Sequence, residues 1–198
     1  LRSELIEQGS IFHSSTDTEV ILHLIARSKY KDPVDKITDA LSQVKGAYCL
    51  IMLINNEIYA ARDPRGYRPL VLGRLGEGWV VSSETCALDI INARYERDVE
   101  PGEILRINSN GVSSYKPFPR HTCQQCVFEL IYFSRPDSKV FGVNVDRVRR
   151  MYGRMLAREH PAPGADIVFS VPDSSNSAAL GFSEESGIPI EFGLIRNH

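Results

Sequence analysis

Any chemistry in this sequence rests on five short segments. Asp17 stands at the start of a helical pattern. A carboxylate there either favours the positive end of the helix dipole, worth about 0.3–1 kcal/mol, or is held rigidly to bind a substrate ammonium. Asp63-Pro-Arg-Gly-Tyr-Arg-Pro-Leu70 combines an Asp-Pro turn start with a glycine suited to positive φ, flanked by Arg65 and Arg68. Its plainest reading is a hairpin turn with solvated arginines. Val81-Ser-Ser-Glu-Thr85 puts serine before glutamate at a strand-to-helix junction, which suits an N-cap with an acidic first turn. Cys123-Gln-Gln-Cys126 is a CxxC pair, but zinc needs four ligands and no second pair occurs. A redox dithiol belongs at a helix start in a thioredoxin-type unit, which is missing here. That leaves unpaired thiols, or a cluster ligand completed elsewhere. Val171-Pro-Asp-Ser-Ser-Asn-Ser177 sits between an apolar strand and a helix, either as a capping loop or as a phosphate site of hydroxyls and free N–H groups.

The elements that must position these segments can be read from periodicity. Residues 1–9 end a helix at Gly9, and Thr16 and Glu19 have capping-box spacing ahead of Val20, Ile21, Leu24 and Ile25. A second helix fits residues 34–44. Short β-rich runs follow at 47–54, 57–62, 70–75 and 78–83, with tight turns between them. A short helix fits 84–92, and two strands fit 103–108 and 112–115. Beyond the linker-like Pro117–His121, residues 129–135 read as a strand. Residues 143–160 read as an amphipathic helix with Val145, Val148, Tyr152, Met155 and Leu156 inward. Strand 166–171, the 172–176 loop, a helix to Ser186 closed by Gly187 and strand 188–195 form a βαβ unit, hence a parallel sheet. The sequence predicts an α+β first part with antiparallel sheets, and the start of an α/β domain after a boundary near 116–127.

Composition narrows the function classes. With 198 residues, 42% hydrophobic and 24% charged, the chain can bury a real core. A net charge of −2 gives no global positive field for nucleic acid or an anionic membrane. No apolar run approaches the roughly 18 residues needed to span a bilayer. Four cysteines are too few for a disulfide scaffold, which favours a reducing compartment. Walker and Rossmann glycine loops are missing, and no Ser-His-Asp set can be assigned.

Taken in order, Ser15–Val20, Gly46-Ala-Tyr48, Asp63–Leu70, Val80–Cys86, Val99-Glu-Pro-Gly-Glu103, Tyr132-Phe-Ser-Arg-Pro-Asp-Ser138, Val171–Ser175 and Gly187-Ile-Pro189 resemble the amidophosphoribosyltransferase family, over essentially the whole chain. The Asp63–Leu70 and Ser-Ser-Glu segments are shared with N-terminal-nucleophile amidotransferases generally, and Tyr132–Ser138 points to this family.

The resemblance implies an N-terminal-nucleophile glutaminase part over 1–120 and the beginning of a phosphoribosyltransferase domain over 121–198. It implies glutamine-dependent formation of 5-phosphoribosylamine from phosphoribosyl pyrophosphate, the first step of purine synthesis. Asp17 resembles the carboxylate that holds the α-ammonium of glutamine. Ser174 resembles a Mg²⁺- and substrate-associated position, and Cys126 resembles the first ligand of a structural 4Fe–4S cluster. The nucleophilic cysteine, whose own α-amine is the base, is expected upstream. The acidic phosphoribosyl pyrophosphate motif and three further cluster cysteines are expected downstream, so the chain is expected to be an internal, inactive fragment. The family further implies purine-nucleotide inhibitors, a homotetramer, and a cytoplasmic location, or an organellar one behind an upstream transit peptide. Two alternatives stand beside it. One is another amidotransferase of the asparagine or glucosamine-phosphate synthase type. The other is a non-catalytic metal- or nucleotide-binding module built on the CxxC pair.

Overall fold

A computed structural model describes residues 1–197. In chain order the helices and strands are α1 (Arg2–Glu7), α2 (Thr18–Arg27), α3 (Pro33–Ser42), β1 (Cys49–Ile54), β2 (Glu57–Arg62), β3 (Val71–Leu75), β4 (Gly78–Ser82), α4 (Thr85–Ile90), β5 (Arg94–Asp98), β6 (Ile104–Asn108) and β7 (Gly111–Tyr115). A π-helical turn (Glu129–Phe133), β8 (Lys139–Val140), β9 (Val143–Asn144), α5 (Val145–Glu159) and α6 (Asn176–Ser186) complete them. They divide into two compact units, Leu1–Tyr67 with Val99–Gln124, and Arg68–Asp98 with the residues from Gln125 onward.

The first unit is an antiparallel sheet, β1-β2-β6-β7, covered by α2 and α3. Asn55 and Asn56 turn β1 into β2 at φ 51° and 64°, a left-handed pair that asparagine tolerates and that matches strand twist. The register sets Tyr59 and Ala61 on the helix-facing side with Ile104, where Ile37, Leu41, Val34 and Ile21 close the core.

Glu57, at the start of β2, accepts two hydrogen bonds from the Arg106 guanidinium at 2.9 Å each, one from Asn108 at 2.7 Å and one from the Tyr59 hydroxyl at 2.6 Å. Arg106 foremost, then Tyr59 and Asn108, hold its carboxyl down to about 2, against an ordinary 4.5. A depressed carboxylate pKa stabilises the fold above the unfolded-state value, and that contribution fades as pH falls from about 4.5 through about 2. Glu57→Gln is therefore expected to flatten the acid limb of stability. Urea midpoints at pH 7 and pH 3 should lie closer together in the variant than in the parent, and parallel limbs would remove this assignment.

The second unit holds the antiparallel sheet β4-β3-β5, with α4 laid on it. Gly73 makes room for Leu88, because a Cβ there would lie 2.8 Å from a Leu88 methyl. Here α5 and α6 pack together, and Val168 bridges Ile190 in parallel, with N–H···O bonds of 2.9 Å to Pro189 and from Glu191.

Four expectations need correction. Residues 129–135 form no strand. Ser134 N–H closes an i→i+5 turn on the Glu129 carbonyl at 3.1 Å, and its hydroxyl bonds the Glu129 carboxylate at 2.8 Å, so the run coils around its own buried acid. The inward face of α5 is Val145, Arg149, Gly153 and Ala157, while Met155 and Leu156 are exposed and Val148 and Tyr152 half-buried. The strands expected at 166–171 and 188–195 reduce, among the described residues, to the single Val168–Ile190 bridge. No capping box forms at Thr16, because Asp17 takes the N-cap position of α2 and Glu19 reaches further back.

Candidate functional site

Asp17 lies in the first unit, on a loop fixed from two sides. The Glu19 carboxylate accepts the backbone N–H groups of His13 at 2.7 Å and Ser14 at 2.9 Å, and the Ser14 hydroxyl at 2.6 Å. Those donors, the Ser14 hydroxyl first and the His13 N–H next, hold the Glu19 carboxyl down to about 2. Arg2 stacks over the Phe12 ring at 4.2 Å and donates to the carbonyls of Ser14 and Thr16. With Glu19 holding the loop, the Asp17 side chain caps nothing and stays exposed. An uncommitted carboxylate on a pinned backbone is what capture of an ammonium requires. The sequence singles out Asp17 but gives no sign of Arg2 or of the anchoring role of Glu19.

The Asp63–Leu70 segment is structural at its core. Asp63 is buried, and its carboxylate accepts the N–H groups of Arg65 at 3.0 Å and Tyr67 at 3.2 Å. Gly66 turns at φ +63°, where a Cβ would meet Pro101 at 2.7 Å. Buried Arg62 ties the turn to the Val99 carbonyl at 2.6 Å. The expected solvated arginines are both engaged. Arg65 donates to Gln124 at 3.0 Å, and Arg68 pairs with the buried Glu129 at 2.7 Å beneath a cation–π contact of 4.5 Å to Phe133. Beside the turn a cleft of about 670 Å³ is lined by Gly46, Tyr48, Asp63, Tyr67, Phe118 and His121. Burial, and then the Asp63 charge, push the Tyr48 hydroxyl up. Asp17 does not line this cleft.

Cys126 and Ser174 fall in the second unit. Cys126 is half-buried, and its carbonyl accepts the Glu129 N–H at 3.1 Å; Cys123 is exposed. Among the described residues, no three His, Cys, Asp or Glu side chains converge as a metal site. Cys126 therefore offers one thiol, and any cluster needs ligands from beyond these residues. Ser174 is half-buried in a loop braced by its neighbours. Ser170 donates to Asn176 at 2.6 Å, Ser175 donates to the Val171 carbonyl, and Arg196 pairs with Asp173 at 3.0 Å. None of these bonds uses the Ser174 hydroxyl, and no side chain caps α6.

The Ser-Ser-Glu segment is not the expected serine cap. Glu84 occupies the N-cap position without capping α4, and its carboxylate instead accepts the Arg135 N–H at 2.8 Å and the Ser138 hydroxyl at 2.7 Å.

The match to known proteins is continuous. Residues 1–89 fit a family model described as a glutamine amidotransferase domain. Over the whole chain, identity is 50% to an amidophosphoribosyltransferase of Arabidopsis thaliana, named as chloroplastic, and 49% to that of Bacillus subtilis. The chain is similar to both of these amidophosphoribosyltransferases along its entire length. It spans 35% of the first relative and 41% of the second. The solved B. subtilis glutamine phosphoribosylpyrophosphate amidotransferase, complexed with ADP and GMP, superposes with a TM-score of 0.95 at 48% identity, over 99% of this chain and 43% of that one. A second solved structure, described as the allosteric regulatory enzyme of purine biosynthesis, gives the same TM-score and identity. The likeness to amidophosphoribosyltransferases thus continues past residue 89 through Tyr132–Ser138 and Ser174, and the α+β fold with antiparallel sheets is theirs. Among the described residues, no helix is long and apolar enough to cross a membrane.

Proposed function

We propose that this chain is a portion of an amidophosphoribosyltransferase, which moves the amide nitrogen of glutamine onto C1 of phosphoribosyl pyrophosphate with loss of pyrophosphate. The observation that carries this is the uninterrupted match, at 48% identity and a TM-score of 0.95, across both the amidotransferase segment and the residues beyond it. It favours this activity over the asparagine and glucosamine-phosphate synthase types, whose adenylating or sugar-isomerase domains would follow residue 120. A bare metal-binding module is disfavoured by the single half-buried thiol at Cys126.

In this reading residues 1–120 belong to the glutaminase and 121–198 open the transferase. Asp17 holds the α-ammonium of glutamine through its uncommitted carboxylate. Ser174 places its hydroxyl beside phosphoribosyl pyrophosphate and its Mg²⁺, at the uncapped start of α6, where backbone N–H groups favour an anion. Mg²⁺, when bound, neutralises the departing pyrophosphate. Cys126 supplies one ligand of a 4Fe–4S cluster whose other ligands lie outside this chain. Purine nucleotides are the expected inhibitors, the assembly a homotetramer, and the compartment the cytoplasm, or an organelle where a transit peptide precedes the enzyme.

The test is Asp17→Ala in the full-length enzyme. Losing a charge-assisted bond of about 1.5–3 kcal/mol should raise KM for glutamine by roughly 10- to 100-fold. Synthesis from free ammonia should stay within about twofold of the parent. A glutamine KM that moves less than threefold would remove Asp17 from the site.

A further inference from the structure

Glu84 lies inside the span matched by the glutamine amidotransferase model, yet its carboxylate is spent on residues well beyond it. Ser138, which donates to it, is fully buried, and Lys139 N–H adds a parallel bond to Thr85 Oγ1 at 2.8 Å. The same loop then grips the start of α5. The Ser138 carbonyl accepts the Val145 N–H at 3.0 Å, and the Pro136 carbonyl accepts the Asp146 N–H at 2.9 Å. Asp146 in turn accepts the hydroxyl of buried Ser177 at 2.7 Å, in the first turn of α6. Asn176 N–H closes the preceding loop on the Asp173 carbonyl at 3.2 Å, around Ser174. All of these groups belong to the second unit.

We infer that Glu84 is a positioning residue that fixes the 172–176 substrate loop through Ser138, Asp146 and Ser177. This rests on the function proposed above, which puts phosphoribosyl pyrophosphate at that loop. Each link is a short bond at the end of an element. Loosening the first link frees the loop Ser134–Lys139 and the N-terminus of α5, and with them the anchor of α6. Glu84 never meets substrate, so its loss should weaken capture of phosphoribosyl pyrophosphate more than it slows the reaction of captured substrate. Both bonds end on one oxygen, so a glutamine side chain can still accept them with its amide oxygen, whereas alanine can accept neither.

The experiment compares Glu84→Ala, Glu84→Gln and Ser177→Ala in the full-length enzyme, with free ammonia as nitrogen donor and Mg²⁺ present. Glu84→Ala and Ser177→Ala should each raise KM for phosphoribosyl pyrophosphate at least fivefold, with kcat within about twofold. Glu84→Gln should stay within about twofold of the parent on both. A smaller folded fraction would lower apparent kcat and leave KM unchanged, so the split between the two separates a displaced loop from a general loss of folding. If Glu84→Ala does not fold, Ser177→Ala decides alone. An unchanged KM in either folded alanine variant overturns the inference. A parent enzyme that makes no phosphoribosylamine from ammonia overturns the proposed function instead, so the two failures are distinguishable.

Discussion

Replacing Gly153 with alanine is expected to destabilise the second unit by about 3 kcal/mol or more, because α5 and α6 touch backbone to backbone there. A Cβ on Gly153 would stand 1.9 Å from the Ala178 carbonyl oxygen and 2.8 Å from the Phe182 nitrogen. From the other side, a Cβ on Gly181 would stand 2.0 Å from the Arg150 carbonyl oxygen. Ordinary contact begins near 3.4 Å, so the helices must separate by more than an ångström, and neither obstacle is a side chain that can swing aside. Alanine's helix propensity returns only about 1 kcal/mol. The ion pairs along the same seam, Arg150 and Arg154 with Glu184 and Arg158 with Glu185, are exposed or half-exposed, screened by water, and cannot compensate. Thermal melting should show a fall of about 6–12 °C for Gly153→Ala. Met155→Ala, at an exposed position of the same helix, should stay within about 2 °C. Equal melting of Gly153→Ala and its parent would mean that the two helices do not cross at these glycines.

That crossing also shows where sequence stops being legible. The α5 helix was readable from its period, but the stripe with the most apolar character, Val148, Tyr152, Met155 and Leu156, is not the face it buries. The buried face is Val145, Arg149, Gly153 and Ala157, chosen by how closely a partner backbone can approach rather than by hydrophobicity. The hairpins were legible because Asn55-Asn56 and Gly76-Glu-Gly78 carry turn chemistry, and the structure places strands on either side of both. The β5 strand was not, because Arg94-Tyr-Glu-Arg-Asp98 has no apolar alternation and is a strand only because β3 offers an edge to pair with. The same limit holds at the site. The sequence marks Asp17 as a carboxylate at a helix start. That it is uncommitted depends on Glu19 satisfying His13 and Ser14, a contact that spacing first suggests belongs to Thr16. Likewise Ser-Ser-Glu looks like a local cap until Ser138, more than fifty residues away, is seen to complete it.

The second large effect is expected at Arg149, which the same misreading of α5 conceals. It is 3% exposed, and its guanidinium donates to two carbonyls at the C-terminal end of the π-helical turn, Nε to Leu130 at 2.8 Å and Nη2 to Ser134 at 2.8 Å. Burial pulls its pKa down, with Glu84 and then Asp146 opposing the shift. A guanidinium in this place acts as the cation at a helix C-terminus, with a fork that spans two acceptors at once. Around it, Ser134 and Glu129 are also buried, and Glu129 is held by Arg68 from its other side. Arg149→Met keeps much of the volume but takes the donor from the buried Ser134 carbonyl and from the half-buried Leu130 carbonyl, at about 1–3 kcal/mol each. Relief from burying a cation offsets part of that. A net loss of about 3 kcal/mol is expected, with Arg149→Lys falling about halfway because an ammonium on a shorter stem reaches one carbonyl and not both. Urea unfolding followed at two wavelengths measures it. Should Arg149→Met unfold at or above the parent midpoint, the cation is a burden rather than the brace of the turn. The Arg68–Glu129–Ser134 bonds would then have to hold residues 129–134 without it.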